Sequence, residues 1–129
     1  MAHPIQIVLA RQLAAHLSVP FFLVDPKGCL LFYNEAAEII LGKRFDETGE
    51  MPAEEWSSVF DPIDDQGQQV PPADLPLMIT VTTHRPAHDR FQIRGLNGLI
   101  RSIEVTAIPI NDLKGDFLGA AALFWELKQ

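Results

Sequence analysis

The sequence predicts an α+β domain built on an antiparallel sheet. Three observations predict it. One amphipathic stretch opens the chain, two short β-prone runs joined by a tight turn follow, and three further β-prone runs close it after an irregular, proline-rich middle. Strands that come in blocks, with turns rather than helices between neighbours, pair antiparallel. The length of 129 residues suits one domain able to bury a real core.

Each element has its own signal. From Ile5 to Leu17, apolar residues recur at Ile5, Val8, Leu9, Leu13 and Leu17, with Ala10 and Ala14 alongside. Spacings of three and four place them on one helical stripe. Pro4 is harmless in the first turn, and Pro20 marks the end. The stripe packs on its own domain, or also joins a partner subunit. Phe21 to Asp25 reads as a strand and Asp25-Pro26-Lys27-Gly28 as a turn, with Pro presetting φ and Gly supplying a positive one. Cys29 to Tyr33 completes a hairpin. Asn34 then caps a helix through Leu41, with Glu35 and Glu38 at its positive end and Gly42 just past its last residue.

Between Lys43 and Asp74, prolines at 52, 62, 71 and 72 and the turn Asp65-Gln66-Gly67 leave room only for short helical turns around Pro52 to Phe60. Pro72-Ala73-Asp74 starts another helix, which carries Leu75, Leu77, Met78, Ile79 and Val81 and ends near Thr83 and His84. Arg90 to Arg94 reads as a strand, Gly95-Leu96-Asn97-Gly98 as a turn and Leu99 to Ile110 as a long strand. Asn111 to Asp116 is the next turn, and Phe117 to Leu127 the final strand.

Composition narrows the function. Seventeen acidic against 10 basic residues give a net charge of −7, and the basic residues are scattered. That argues against nucleic acid and anionic membrane as partners, both of which need clustered Lys and Arg. A lone cysteine, Cys29, excludes an internal disulfide and suits a reducing compartment. With no apolar run of membrane-spanning length and no secretory signal pattern, the chain reads as cytoplasmic.

The segment from Pro20 to Ala37 has the order strand, Asp-x-x-Gly, strand, Asn-x-Ala. Residues 66–77 carry Gly67, Val70-Pro71-Pro72 and Leu75-Pro76-Leu77, and residues 111–122 carry Gly115 and Gly119. Together these resemble a PAS domain, of a subgroup with the Pro-Pro-x-x-Leu-Pro-Leu segment. The resemblance implies a five-stranded sheet in the order 2-1-5-4-3, with short helices on one face. Residues 1–18 would form an amphipathic helix on the other face, and residues 19–129 the PAS domain itself.

By analogy with that family, Phe22 and Val24 point inward and Phe21 and Leu23 outward. Alternation then sends Phe117, Gly119, Ala121 and Leu123 of the last strand inward, and Leu118, Ala120, Ala122 and Phe124 outward. On the long strand Arg101, Ile103, Val105 and Ala107 are assigned inward. The candidate pocket is therefore Phe22, Val24, Ile39, Ile40, Trp56, Met78, Ile103, Val105 and Ala121. The candidate dimer face is Val8, Leu9, Leu13 and Leu17 with Phe21, Leu23, Leu118, Ala120, Ala122 and Phe124. The resemblance implies a homodimer through that face.

Cofactor signals are absent. Heme-binding PAS members use a histidine on the helix before the third strand, whereas His84 lies at that helix's end. Flavin-binding members use an Asn-Cys-Arg run and an inward glutamine, and this chain has Cys29 at the start of a strand and Ala121 instead. No heme or flavin is expected. Asp61, Asp64 and Asp65 lack the spacing of a calcium loop, and no His/Cys metal motif occurs. Trp56 and Phe60, four apart, pack in the core or line a pocket lid. With no nucleophile elbow or phosphate loop, an enzyme is not expected; a small cone-fold enzyme with a lone pocket acid is the residual alternative. The expectation is a sensory module of signal transduction, of the two-component kind, binding a small ligand or partner and relaying a change through a dimer. The alternative is a ligand-free dimerisation scaffold. An output domain, a histidine kinase or transcription regulator, would act in cis on an excised domain or in trans on a free-standing one.

Overall fold

The computed structural model describes residues 3–95 and 98–127. Helix α1 covers Ile5–Ala15, the hairpin β1–β2 Phe21–Val24 and Leu30–Tyr33, and three short helices follow: α2 (Glu35–Leu41), α3 (Phe45–Thr48) and α4 (Ala53–Val59). After β3 (Pro62–Ile63) and a 3-10 turn at Pro72–Asp74 come α5 (Pro76–Thr83) and the long strands β4 (Ala87–Arg94), β5 (Ile100–Asn111) and β6 (Phe117–Glu126). The sheet is antiparallel, in the order β2-β1-β6-β5-β4-β3. This is the expected arrangement with one addition. Two residues, Pro62 and Ile63, pair with Ile93 and Gln92 at the far edge. So short a run, begun by a proline that cannot donate, leaves no strand signal in sequence.

Three turns share one geometry. Asp25 Oδ1 accepts from the amides of Lys27 and Cys29, Asp64 Oδ1 from Gln66 and Gln68, and Asp112 Oδ1 from Lys114 and Asp116. In each, the glycine three residues after the Asp has a positive φ. The Asp64 carboxylate is thus occupied by its own loop, as a turn rather than a cation site. Of the expected turn Gly95 to Gly98, Leu96 and Asn97 lie outside the described residues. The expected start of α5 at Asp74 is corrected: Leu75 is held extended because it precedes Pro76, so the helix begins afresh at the proline.

At β1 and the middle of β6 the sheet is apolar on both faces. All of β1 is buried, with Phe22 and Val24 in an inner core beneath α2, α4 and α5, and Phe21 and Leu23 in an outer core beneath α1. Ile103, Val105 and Ala107 of β5 lie inward. Arg101 shares their phase at the sheet's end and pairs with Glu126 at 2.8 Å.

The last strand corrects the face assignment. Phe117 points inward and Leu118 outward, but Asn111 opposes Phe117 while Ile110 opposes Gly119. Leu118 is the extra residue of a β-bulge, and from there the alternation slips by one. Ala120, Ala122 and Phe124 belong to the inner core, and Ala121 and Leu123 to the outer one. A second bulge sets Val24 against Leu30 and Leu23 against Phe32, which turns Leu31 outward.

The seating of α1 is also corrected. Its sheet-facing side is Ile7, Ala10, Ala14 and Leu17, whereas Val8, Leu9 and Leu13 are exposed at 39%, 55% and 63%. The small Ala10 and Ala14 let the helix lie close to the sheet. Gly119 lets it lie closer: a Cβ there would stand 2.5 Å from the Val24 carbonyl oxygen and 3.2 Å from Ile7 Cδ1. Its φ of +149° is a backbone region open mainly to glycine. Among the described residues no helix is long and apolar enough to cross a membrane.

Gly119→Ala is therefore expected to destabilise the fold by about 2–4 kcal/mol, from steric overlap added to backbone strain. Urea unfolding checks it; a loss below the measurement error would show that the bulge relaxes.

Candidate functional site

The inner face encloses a cavity of about 70 Å³. Its floor is sheet: Phe22, Ile93, Ile103, Val105, Ala122 and Phe124, with Phe91 beside them. Its cover is Leu41 from α2, Trp56, Ser57 and Phe60 from α4 and its end, Pro62 of β3, and the Leu75-Pro76-Leu77 segment. Trp56 is fixed because its indole N–H donates to the Gly28 carbonyl at 2.9 Å, which ties α4 to the β1–β2 turn. Phe22 meets Trp56 edge-on at 5.1 Å and Phe60 at 6.1 Å. Ser57 is the one polar side chain in the lining, and its hydroxyl donates to the Ala53 carbonyl at 2.6 Å. The cavity wall thus presents no charge and no uncommitted hydrogen-bond donor.

Phe22, Trp56, Ile103 and Val105, expected in a pocket, line this cavity. Val24 and Ile40 are buried in the same core outside the lining, and Met78 is half-buried beside Gly28. Two expected residues are corrected. Ile39 is 67% exposed, because one turn of α2 buries Ile40 and Leu41 and turns Ile39 away. Ala121 lies on the outer face, for the reason of the Leu118 bulge. Ala122 and Phe124 take the place assigned to it. The signal that would have found them is Gly119 followed by three alanines, a small-residue run that marks close approach at a strand irregularity.

His84 ends α5 in the left-handed conformation, φ 60°, and its ring stacks on Phe117 at 4.0 Å, outside the cavity lining. Cys29 sits in the β1–β2 turn, also outside the lining. Burial, and then the Asp25 carboxylate, push its thiol pKa up, the opposite of an activated nucleophile. Among the described residues no three His, Cys, Asp or Glu side chains gather as a metal site. The lining contains no His or Cys and no polar side chain free to orient a ring system.

A polar hub stands beside the cavity. Asn34 is 1% exposed. Its Oδ1 accepts from the amides of Phe21 and Ala37, each at 3.0 Å. Its Nδ2 donates to the carbonyls of Ala14 and Val19, each at 2.9 Å. One carboxamide thereby caps α2, anchors the start of β1 and holds the last turn of α1. Next to it Tyr33 is fully buried, and its hydroxyl donates to the Lys43 carbonyl at 2.8 Å. Burial raises this phenol's pKa above the ordinary value of 10.0.

No protein-family model and no curated protein matches the sequence. Solved structures do match in shape. The PAS domain of BvgS from Bordetella pertussis superposes with a TM-score of 0.64 at 18% identity, over 96% of this chain and 87% of that one. A PAS domain from a two-component sensor histidine kinase gives 0.62 at 13%, over 95% and 97%. The LOV protein of Rhodobacter sphaeroides gives 0.75 at 13%, over 98% and 70%. The chain has the PAS fold.

Asn34→Ala is expected to cost about 2–4 kcal/mol, a lost helix cap plus buried groups left without partners. It should also speed amide exchange in α1 beyond the global effect; uniform acceleration across the sheet would contradict the hub. For Tyr33, the folded pKa is raised, so its contribution to stability is complete below the unfolded value near 10 and is lost as pH rises through the folded one. Tyr33→Phe is expected to lower stability by about 1 kcal/mol at neutral pH and to flatten the alkaline decline. Urea midpoints between pH 8 and about 11 test both effects, spanning the tyrosine range.

Proposed function

We propose that the chain is a sensory module of signal transduction that senses a small, uncharged, apolar ligand in the inner cavity and relays its presence through α1 to a dimer partner. The observation that carries the reading is a short path. Leu41, at the last turn of α2, lines the cavity, and Asn34, at the first, holds the Ala14 carbonyl of α1. A seven-residue helix moves as one body, so a ligand that lifts Leu41 tilts the cap on which α1 rests. Such a ligand acts only through different affinities for the two positions of the helix. On the exposed side of α1, Ile5, Leu9 and Leu13 are 66%, 55% and 63% accessible, and a second copy would cover them. Sensor PAS domains with this fold support a signalling role, with an output such as a histidine kinase or transcription regulator in cis or in trans. The reading includes no heme or flavin, no catalysis, no nucleic acid and a cytoplasmic location.

A second reading, a dimerisation scaffold without a ligand, is favoured by the cavity's volume of about 70 Å³. Ligand pockets usually span roughly 300–1,000 Å³, so this core is close to filled.

Two measurements separate these readings. Native mass spectrometry of the full chain is expected to show a dimer; a monomer at micromolar concentration would remove the relay. Xenon, an inert probe of dry cavities, is expected to shift the methyl signals of Ile103 and Val105 and to change exchange protection in α1. Ala122→Val, which fills the floor, should abolish both responses. Methyl shifts with α1 unaffected would leave the scaffold.

A further inference from the structure

On the opposite side of the sheet, α1 does not cover all that it crosses. A groove of about 500 Å³ runs along its flank, with half-buried Phe32 as its accessible floor over the buried Leu23 and Leu31, and with His3, Val8, Arg11 and Gln12 along its wall. This volume lies in the range of small-molecule sites. It is separate from the inner cavity, which lies across the full thickness of the sheet.

Arg11 makes the groove more than an apolar gap. Its guanidinium carbon lies 4.8 Å from the centroid of the Phe32 ring and 5.7 Å from that of Phe45. Two aromatic rings restrict the fork's orientation, and none of the described carboxylates lies within ion-pair distance of it. Phe32 and Val8 are apolar, the wall carries Arg11 with His3 and Gln12 beside it, and a planar guanidinium pairs best with a carboxylate through two parallel hydrogen bonds.

We infer that this groove binds a small amphipathic monocarboxylate, its tail along Val8 and Phe32 and its carboxylate on Arg11. A second copy's α1 is a poorer occupant, because the first 24 residues contain no Asp or Glu to neutralise that cation. A ligand seated there touches helix and sheet together and holds α1 down. The inference is independent of the inner cavity.

The test uses the full chain, with octanoate as the probe and octanol as its uncharged counterpart, both below the concentration at which they self-associate. Amide shifts are followed by two-dimensional NMR. Octanoate is expected to shift Val8, Leu23, Leu31 and Phe32 saturably. Arg11→Gln should weaken octanoate about tenfold or more, the size of one lost charge-assisted pair, and leave octanol within about twofold. Arg11 is exposed, so this variant is expected to keep the wild-type melting temperature. Arg11→Lys, which keeps the charge without the planar fork, should fall between the two. Four results overturn the inference: no saturable shift, shifts confined to the inner cavity, equal weakening of both probes by Arg11→Gln, or groove signals that depend on protein concentration without probe, which would place a second copy there.

Discussion

At the point where α1, β1, β2 and α2 come together, four backbone segments present amide or carbonyl groups away from water, and the Asn34 carboxamide satisfies them. It accepts from Phe21 and Ala37 and donates to Ala14 and Val19. An amide side chain is suited to this because it offers two acceptor lone pairs and two donors in one plane. An aspartate would lack the donors, and a serine would not span both sides. The hydrogen bonds fix where the leading helix lies, and so which part of the outer face it covers. They also join the two apolar cores, which the sheet otherwise keeps apart.

The sheet is the second constraint. Where both faces are dry, every residue of β1 and most of the middle of β6 are buried, and no polar side can advertise the phase of these two strands. In such a strand a bulge has large effects. The extra residue at Leu118 exchanges the faces of Ala120 to Phe124, brings Ala122 and Phe124 into the cavity floor, and leaves Gly119 beneath Ile7. The small run that follows does two jobs. Ala121 admits the leading helix on one side, and Ala122 leaves room on the other.

The inner and outer spaces differ in chemistry. The inner one is small, and its one polar side chain is already bonded. It favours an uncharged occupant or none. The outer one is wider and bears Arg11, which has no acidic partner among the described residues. The hub at Asn34 lies between them, in contact with the helix that borders the outer space and at the head of the helix that ends at the inner one.

Much of this was legible in the residues. Helix periodicity, the Asp-x-x-Gly turns, Asn34 before a short helix and the block of β-prone runs specified the elements and an antiparallel sheet, because each is a local signal with a local cause, while the strand order came from the resemblance to PAS domains. Phe22 was placed inward by the PAS resemblance, Ile103 and Val105 by alternation along an unbroken strand, and Trp56 by its spacing of four from Phe60 on one helical face. What the residues did not contain was the register. Whether Ala121 or Ala122 faces inward depends on which backbone amides of β6 meet those of β1 and β5, and that is settled by pairing across the sheet. The side of α1 that meets the sheet was undetermined in the same way, since Ile7 and Leu9 are equally apolar and only the close approach over Gly119 selects between them. Local sequence determined the parts, and contacts between distant segments decided which way they face, because a strand apolar on both sides carries no signal of its own orientation.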